Sequence, residues 1–482
     1  MEARPSPDTH SRSRRGPVRG FGAVGSGHPG GRMERGSRAR GAESLRGRAT
    51  SASEPGRLTM PFAVLVCIAA LAPAGQPAQP PVPRSVDARD FGAKGDGVAD
   101  DTAAIQKALD AVRGAPGLVR LGAGKYRITA TLLVGDGATL LGEGARWENA
   151  ATQILVLEPG FAAIRLHHGS AVKGLCLSYP NNRRNVSPVK YPPAILLGGI
   201  NPALEDITFD CAWDGVSTVP GIHTGQALFR NLTGHIHNVG MHLSGIRDVV
   251  RIENVHWFVG GDPIDSTAYF RSHRVGFELG DVDGLIMSKC FIIGAKTFLH
   301  QLPYRDTTDG SRQPAHSLGL HIDQCWIEDV DNGFLFEGTC GFVLESTNIL
   351  VRKGGVGVRV DADNLFYNAV ISGVQVRPFD QPIRGFEYRV KNAHPRNRLS
   401  IADCQVVMGE PAVHLMKGGV RASIHNCHLE SLPGKPAIRI DEGVDLFTIT
   451  DNIFTSARPI LDLSGPRARK EVRGNLVETP AK

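Results

Sequence analysis

From Leu118 onward the chain is made of short runs in which every second residue is apolar, separated by glycine-rich turns. Leu118–Tyr126 and Ile128–Leu141 are the first of these. Alternation of this kind predicts strands with one buried and one open face. Further along, the pattern repeats. The unit is an apolar residue, two others, a pivot, one other and a second apolar residue. Pivots fall at Leu175, Ile207, Leu232, Val255, Cys290, Cys325, Thr347, Val374, Cys404, Cys427, Asn452 and Asn475, at intervals of 32, 25, 23, 35, 35, 22, 27, 30, 23, 25 and 23 residues. The Leu232 unit departs from the rule, because Gly234 fills its second apolar slot. A base period of 22–25 residues with insertions predicts a β-solenoid coil of three short strands and three turns. The Leu-x-x-Leu-x-Leu frame of leucine-rich repeats is absent. No helical periodicity alternates with the strands, which argues against a doubly wound sheet.

One stretch has helical spacing. Within Asp87–Ala111, the segment Asp90–Asp101 is loop-like, with three glycines and four aspartates, and is followed by Ala104, Ile105, Ala108 and Leu109 on one apolar stripe. Asp101 or Thr102 is placed to cap this helix by accepting from its free backbone N–H groups. Asp96, Asp100 and Asp101 also form the outline of a calcium loop, but turn and cap duties account for them more simply.

Charge divides the chain. Residues 1–59 hold 12 arginines, no lysine and 5 acidic residues, a balance of +7 against +6 for the whole chain, so the remaining 423 residues sum to −1. The basic character belongs to this tail, and nothing in the rest points to nucleic acid. The tail is rich in Arg, Gly, Ser and Pro and is expected to be disordered, or to precede a true translation start at Met33 or Met60. Phe62–Ala72 is an eleven-residue apolar run, too short to span a bilayer, and Ala72-Pro73-Ala74 after it has the form of a signal-peptidase site. Residues 60–84 therefore read as a signal peptide and Pro-rich linker, and 85–482 as one domain that is secreted or periplasmic with no stable membrane anchor. Beyond Cys67 there are seven cysteines without CxxC spacing, neither a disulfide framework nor a zinc site; small buried residues are expected.

The run DARDFGAKGDGVADDTAAIQKALDA (87–111) resembles the opening signature of the pectate-lyase-like proteins related to rhamnogalacturonases and epimerases. The resemblance implies an all-β right-handed parallel β-helix of about a dozen coils, with a short amphipathic helix plugging its first open end. It also implies that the pivot lies between the second and third strands of a coil. The next coil's first strand then carries an exposed groove for polysaccharide. Strands of that type read as GIHTG (221–225), GMHLSG (240–245), GFELGD (276–281), KTFLHQ (296–301), GFLFEG (333–338), GVGVRV (355–360) and RGFEYR (384–389).

Stacked at about 4.8 Å per coil, these strands present an outward file of His223, His242, Glu278, His300, Glu337, Arg359, Glu387 and Arg389. Loops entering them add Asp210, Asp214, His235, His237, Asp262, Asp265, Lys296, Asp329, Asp331, Arg352 and Lys353. The extra length of the two 35-residue coils falls around Gly260–His273 and Pro303–His316, where it would wall a cleft. Solvated surface accounts for most single residues of this kind; the density of His and carboxylates over 223–337 makes the patch the candidate site.

Two chemistries use such a groove. A hydrolase needs one protonated and one ionised carboxyl. A lyase or epimerase needs a base beside a uronate carboxylate, with Arg, Lys or Ca²⁺ to hold developing charge. Asp262, Glu278, Asp331 and Glu337 are the candidate catalytic carboxyls, and His242, Lys296, His300 and Arg359 the candidate substrate-binding residues, Arg359 as a clamp on a uronate carboxylate. Glu278 and Glu337 are expected at equivalent outward positions two coils apart, roughly 9–10 Å along the groove. The family 28 polygalacturonase signatures Asn-Thr-Asp, Asp-Asp, Gly-His-Gly and Arg-Ile-Lys are absent from the coils, the sole Asp-Asp being Asp100-Asp101. Gly261-Asp262-Pro263-Ile264-Asp265 is similar to the Asp-Pro-His motif of alginate epimerases without its His. The expectation is a glycoside hydrolase on pectin- or uronate-like polysaccharide with no cofactor. The alternatives are a lyase or epimerase, with Ca²⁺ entering if a lyase, and a non-catalytic glycan-binding solenoid.

Overall fold

The computed structural model describes residues 84–478, apart from 147–148, 183–187, 259–263, 393, 395–396 and 419–420. The tail, leader and linker read in residues 1–83 lie outside the described residues. The described chain winds into a right-handed parallel β-helix of three sheets. The first, the groove sheet, starts at Leu132–Val134 and continues through Ile164–Leu166, Ile195–Leu197, Val216–Thr218, Val239–Leu243 and Val275–Leu279. It then takes in the C-terminal halves of Phe291–Gln301, Trp326–Phe336 and Asn348–Ala362, and ends with Arg384–Val390, Val413–Leu415, Ile438–Ile440 and Ile460–Asp462. The second sheet runs from Ser85–Asp87 to Arg469–Arg473, and the third from Asp96–Asp100 to Leu476–Val477.

The corner between the second and third sheets explains the repeat. Each of the twelve pivots follows directly on a residue in the left-handed region: Gly174, Asp206, Asn231, Asn254, Lys289, Gln324, Ser346, Gly373, Asp403, Asn426, Asp451 and Gly474. That single left-handed residue turns the chain from one sheet into the next, and Asn, Asp and Gly tolerate it best. The pivot itself then points inward; Leu175, Val255, Thr347 and Asn452 have no exposed surface. Asn452 is satisfied there by donating through Nδ2 to Ile424 O at 3.0 Å and accepting at Oδ1 from Cys427 N at 2.9 Å. Cys290, Cys325, Cys404 and Cys427 are buried free thiols, as their pivot positions require.

Between the sheets the apolar residues stack coil on coil. Phe277, Phe298 and Phe334 form an edge-to-face column with ring centroids 5.3 Å apart, and Phe336 lies flat on Phe342 at 4.0 Å. Glycines mark the corner where the chain enters the groove sheet. A Cβ on Gly240 would lie 2.4 Å from Gly276 O and 2.5 Å from Trp257 Nε1, so only glycine fits where successive coils approach this closely.

The predicted helix forms as Thr102–Ala111 and buries Ile105, Ala108 and Leu109 against the first coil. Its cap differs from expectation. Asp101 makes no side-chain cap bond; it is buried and accepts from Lys94 N at 2.6 Å and Gly95 N at 3.0 Å, drawing the loop inward. Asp100 takes the capping role, accepting from Thr102 N at 3.0 Å, and Asp96 accepts from Val98 N and Ala99 N at 2.8 Å. The three aspartates thus serve backbone N–H groups. The two long coils spend their extra residues on a helix, Ile264–His273, and on an antiparallel hairpin, Tyr304–Asp306 with Arg312–Pro314. The helix packs through Tyr269 and Phe270 on Trp213 and His237, at the N-terminal ends of the groove strands. The hairpin stands at their C-terminal ends.

Candidate functional site

Register across the groove sheet gives one outward file: Leu133, Arg165, Leu196, Ser217, His242, Glu278, His300, Leu335, Arg359, Glu387, His414 and Arg439. His242, Glu278, His300, Arg359 and Glu387 stand where alternation put them. His223 does not; Ser217 holds its coil's place, and His223 lies in a turn beside Gly221 and Arg247. Glu337 is likewise displaced. The residue equivalent to Glu278 is Leu335, and Glu337 follows two residues later, past the end of its strand. Two coils along the axis and two residues along the strand separate Glu278 from Glu337 by roughly 11–12 Å between backbones, beyond the spacing expected from equivalent positions. Glu337 instead pairs with His300, Nε2 and Oε2 lying 2.7 Å apart, and this hydrogen bond holds its carboxyl below the usual range.

Two further expectations change once contacts are known. Arg359 donates from Nε at 2.6 Å to Glu387, which is only 5% exposed, and Arg384 donates to the same carboxylate at 3.1 Å. Arg359 is therefore engaged in neutralising a buried acid rather than waiting for a uronate. Asp331 accepts from Arg352 Nε at 2.9 Å, and Arg352 also donates to Arg271 O and Ala295 O. With buried Asp329, which pairs with Arg271 at 2.7 Å, this cluster pins the helix to the coils, away from the outward file. Lys296 is exposed at the bend before the groove sheet, four residues ahead of His300. Asp262 lies outside the described residues. Asp210 and His235 meet Cys211 in the interior with ligating atoms within 4.8 Å, and Ser178 donates to Asp210 at 2.7 Å; they do not face the groove.

Groove and hairpin do converge at His242. Its Nδ1 is 3.0 Å from Glu278 Oε2, and its Nε2 is 3.8 Å from Asp306 Oδ2 in the hairpin. A cavity of about 390 Å³ opens there, lined by Asp214, Ser217, Asn238, His242, Glu278, Tyr304, Asp306 and Arg312. Burial disfavours the imidazolium, but the Glu278 hydrogen bond and the charges of Glu278, Asp306 and Asp214 outweigh it, so His242 titrates above its usual value. Burial also dominates at Asp214 and raises its carboxyl, even though Asn238 Nδ2 and Val239 N donate to Oδ1 at 2.8 and 3.0 Å. Arg312 lies 3.5 Å from Asp306 and 3.8 Å over the Tyr304 ring. The hairpin is tied down by buried Asp281, which accepts from Arg305 and pairs with Arg247, both at 3.0 Å. Tyr304, Asp306 and Arg312 escaped sequence reasoning. The 35-residue interval pointed at their loop, but no periodicity says which loop residue turns inward.

Residues 84–160 match the family described as rhamnogalacturonase A/epimerase, pectate lyase-like. Over 57 residues the chain is 53% identical to mannuronan C5-epimerase AlgE4 of Azotobacter vinelandii, 12% of this chain and 10% of that protein, so it spans about a tenth of that relative's length. Among solved structures, the N-terminal fragment of bacteriophage phi29 gene product 12 aligns with TM-score 0.57 at 14% identity, covering 81% of this chain and 72% of that one. The tailspike protein of E. coli bacteriophage HK620, solved with a pentasaccharide, aligns with TM-score 0.51 at 11% identity, covering 77% and 71%. The chain folds as a parallel β-helix, and its residues 84–160 are similar to the rhamnogalacturonase A/epimerase, pectate lyase-like family.

Proposed function

We propose that the protein hydrolyses a neutral or weakly charged polysaccharide laid along the groove sheet. The observation that carries this reading is the gathering of three carboxyl groups, Asp214, Glu278 and Asp306, around one imidazole in a single cavity. Arg312, the lining guanidinium, is already committed to Asp306 and Tyr304. Such a site is acidic, which suits paired-carboxyl chemistry and disfavours a polyuronate chain. Asp214, raised by burial, gives its proton to the leaving glycosidic oxygen. Glu278 takes a proton from the attacking water, and His242 holds Glu278 in place. Tyr304 offers a ring face to the sugar.

A second reading, C5-epimerisation or β-elimination of a uronan, is supported by the likeness of a 57-residue stretch to a mannuronan C5-epimerase and by Tyr304 and His242 as proton carriers in the same cavity. The test is incubation of the purified protein with neutral glucans, xylans and mannans beside alginate and polygalacturonate. New reducing ends on a neutral glycan, falling by about 10²-fold or more in Asp214→Asn or Glu278→Gln, are expected. An unsaturated, ultraviolet-absorbing product, or a changed uronate ratio without chain cleavage, would replace hydrolysis by the second reading.

A further inference from the structure

The groove sheet is not the only face built for a polymer. A cavity of about 990 Å³ lies at the corner between the second and third sheets, where the left-handed residues Asp206, Asn231 and Asn254 line its floor. These three form a ladder, Asn231 Nδ2 donating to Asp206 Oδ1 and Asn254 Nδ2 to Asn231 Oδ1, both at 2.9 Å. An amide has two donor hydrogens and two acceptor lone pairs, so each step of the ladder keeps capacity beyond its neighbour. Beside the ladder Lys173 and Arg230 both pair with Glu205, and the one positive charge left over is offset by Asp206 in the ladder itself.

Where the cavity ends, rings begin. His256 lines it and stands in register with Phe291, and Phe291 with Trp326, on the open face of the third sheet. The His256 and Phe291 rings are 4.2 Å apart, and Trp326 is 44% exposed. Stacked strands set this file parallel to the solenoid axis with about one ring per 4.8 Å. A polar rail that both donates and accepts, continuous with a file of rings in which His256 and Phe291 meet edge to face, matches one kind of molecule. A sugar ring has hydroxyls around its edge and an apolar C–H face, and buries best against an aromatic plane with amides at its rim.

We infer that this corner and the adjoining third sheet form a second, non-catalytic binding site for a neutral glycan chain, with Asp206, Asn231 and Asn254 as its polar rail and His256, Phe291 and Trp326 as its stacking platform. The site is on a different sheet from the His242 cavity, and its existence does not depend on the reaction run there. It would hold a polysaccharide to the protein while the groove works on another stretch.

Native electrophoresis through gels containing a neutral β-glucan, a xylan or a galactomannan tests this with the full chain. At least one glycan should retard the wild type. Retardation should persist in His242→Ala, whose groove is impaired, and weaken by about tenfold in Trp326→Ala, the scale of one lost stacked base or sugar face. Asn231→Gly, which keeps the left-handed turn and removes only the amide, should weaken it in the same direction and guards against a folding defect in one variant. If no neutral glycan retards the wild type, or if Trp326→Ala and Asn231→Gly are both retarded like the wild type, the inference fails. If Trp326→Ala instead converts a dimer to a monomer with retardation unchanged, the ring file is a contact between copies of this chain, and the glycan site is overturned.

Discussion

His242 sits where burial and carboxylates pull its proton affinity in opposite directions, and removing one of them exposes the other. Desolvation is the larger single influence and lowers the value; Glu278, Asp306 and Asp214 together reverse it. In wild-type protein an NMR titration should place His242 above about 6.5. In Glu278→Gln the balance should tip and carry it below that value; an unchanged His242 would refute the pairing. Because the folded value is the raised one, the pair's contribution to stability is fully present below the unfolded value near 6.5. It fades as pH rises through the folded value. The pivot thiols make a second residue-scale case. Cys290, Cys325, Cys404 and Cys427 are each no more than 2% exposed. They should resist a thiol reagent in the native state and react on unfolding, which a colorimetric thiol assay with and without denaturant measures.

At the scale of elements, the hairpin shapes the cavity and Asp281 holds the hairpin. Asp281→Asn should free Arg305 and Arg247, make the 303–316 segment a site of limited proteolysis, and lower kcat/KM by about tenfold, with most of the change in KM. Equal proteolysis of variant and wild type would show that the hairpin stands without this anchor. The corner glycines invite a complementary test. Gly240→Ala pushes a methyl group against the next coil's carbonyl, and a loss of about 1–3 kcal/mol is expected from denaturant unfolding. Both elements also show where sequence reading reaches its limit. Period-two alternation is blind to where a strand ends, so Leu335 and Glu337 look equally outward. Only pairing of Phe336 with Gln301, and of Gln301 with Leu279, tells them apart. Arg359 and Asp331 were legible as polar and exposed, but their partners, Glu387 and Arg352, are 28 and 21 residues away and invisible to local pattern.

Across the whole molecule, the coil count and the capping helix were legible because each depends on a short, repeated local rule: one inward pivot per coil and one apolar stripe. The composition of the candidate site was not, because it is assembled from three successive coils and a loop that follows no repeat. Removing the first segment should have the consequence a solenoid dictates. A fragment beginning at residue 112 exposes the apolar edge that Ile105, Ala108 and Leu109 cover, and aggregation on size-exclusion chromatography is expected where an 85–482 fragment runs as a discrete species.

The left-handed residue ahead of every pivot has a further consequence. Each coil resets the path of the chain at that point, so whatever is inserted elsewhere in the turn of the spiral is forgotten by the next one. Lineages of this protein are thus free to vary loops without disturbing the frame, and to change length in whole turns. A duplicated 22-residue unit from Cys325 through Ser346 should be accepted as a spacer, moving everything after it by about 4.8 Å and leaving the His242 cavity untouched.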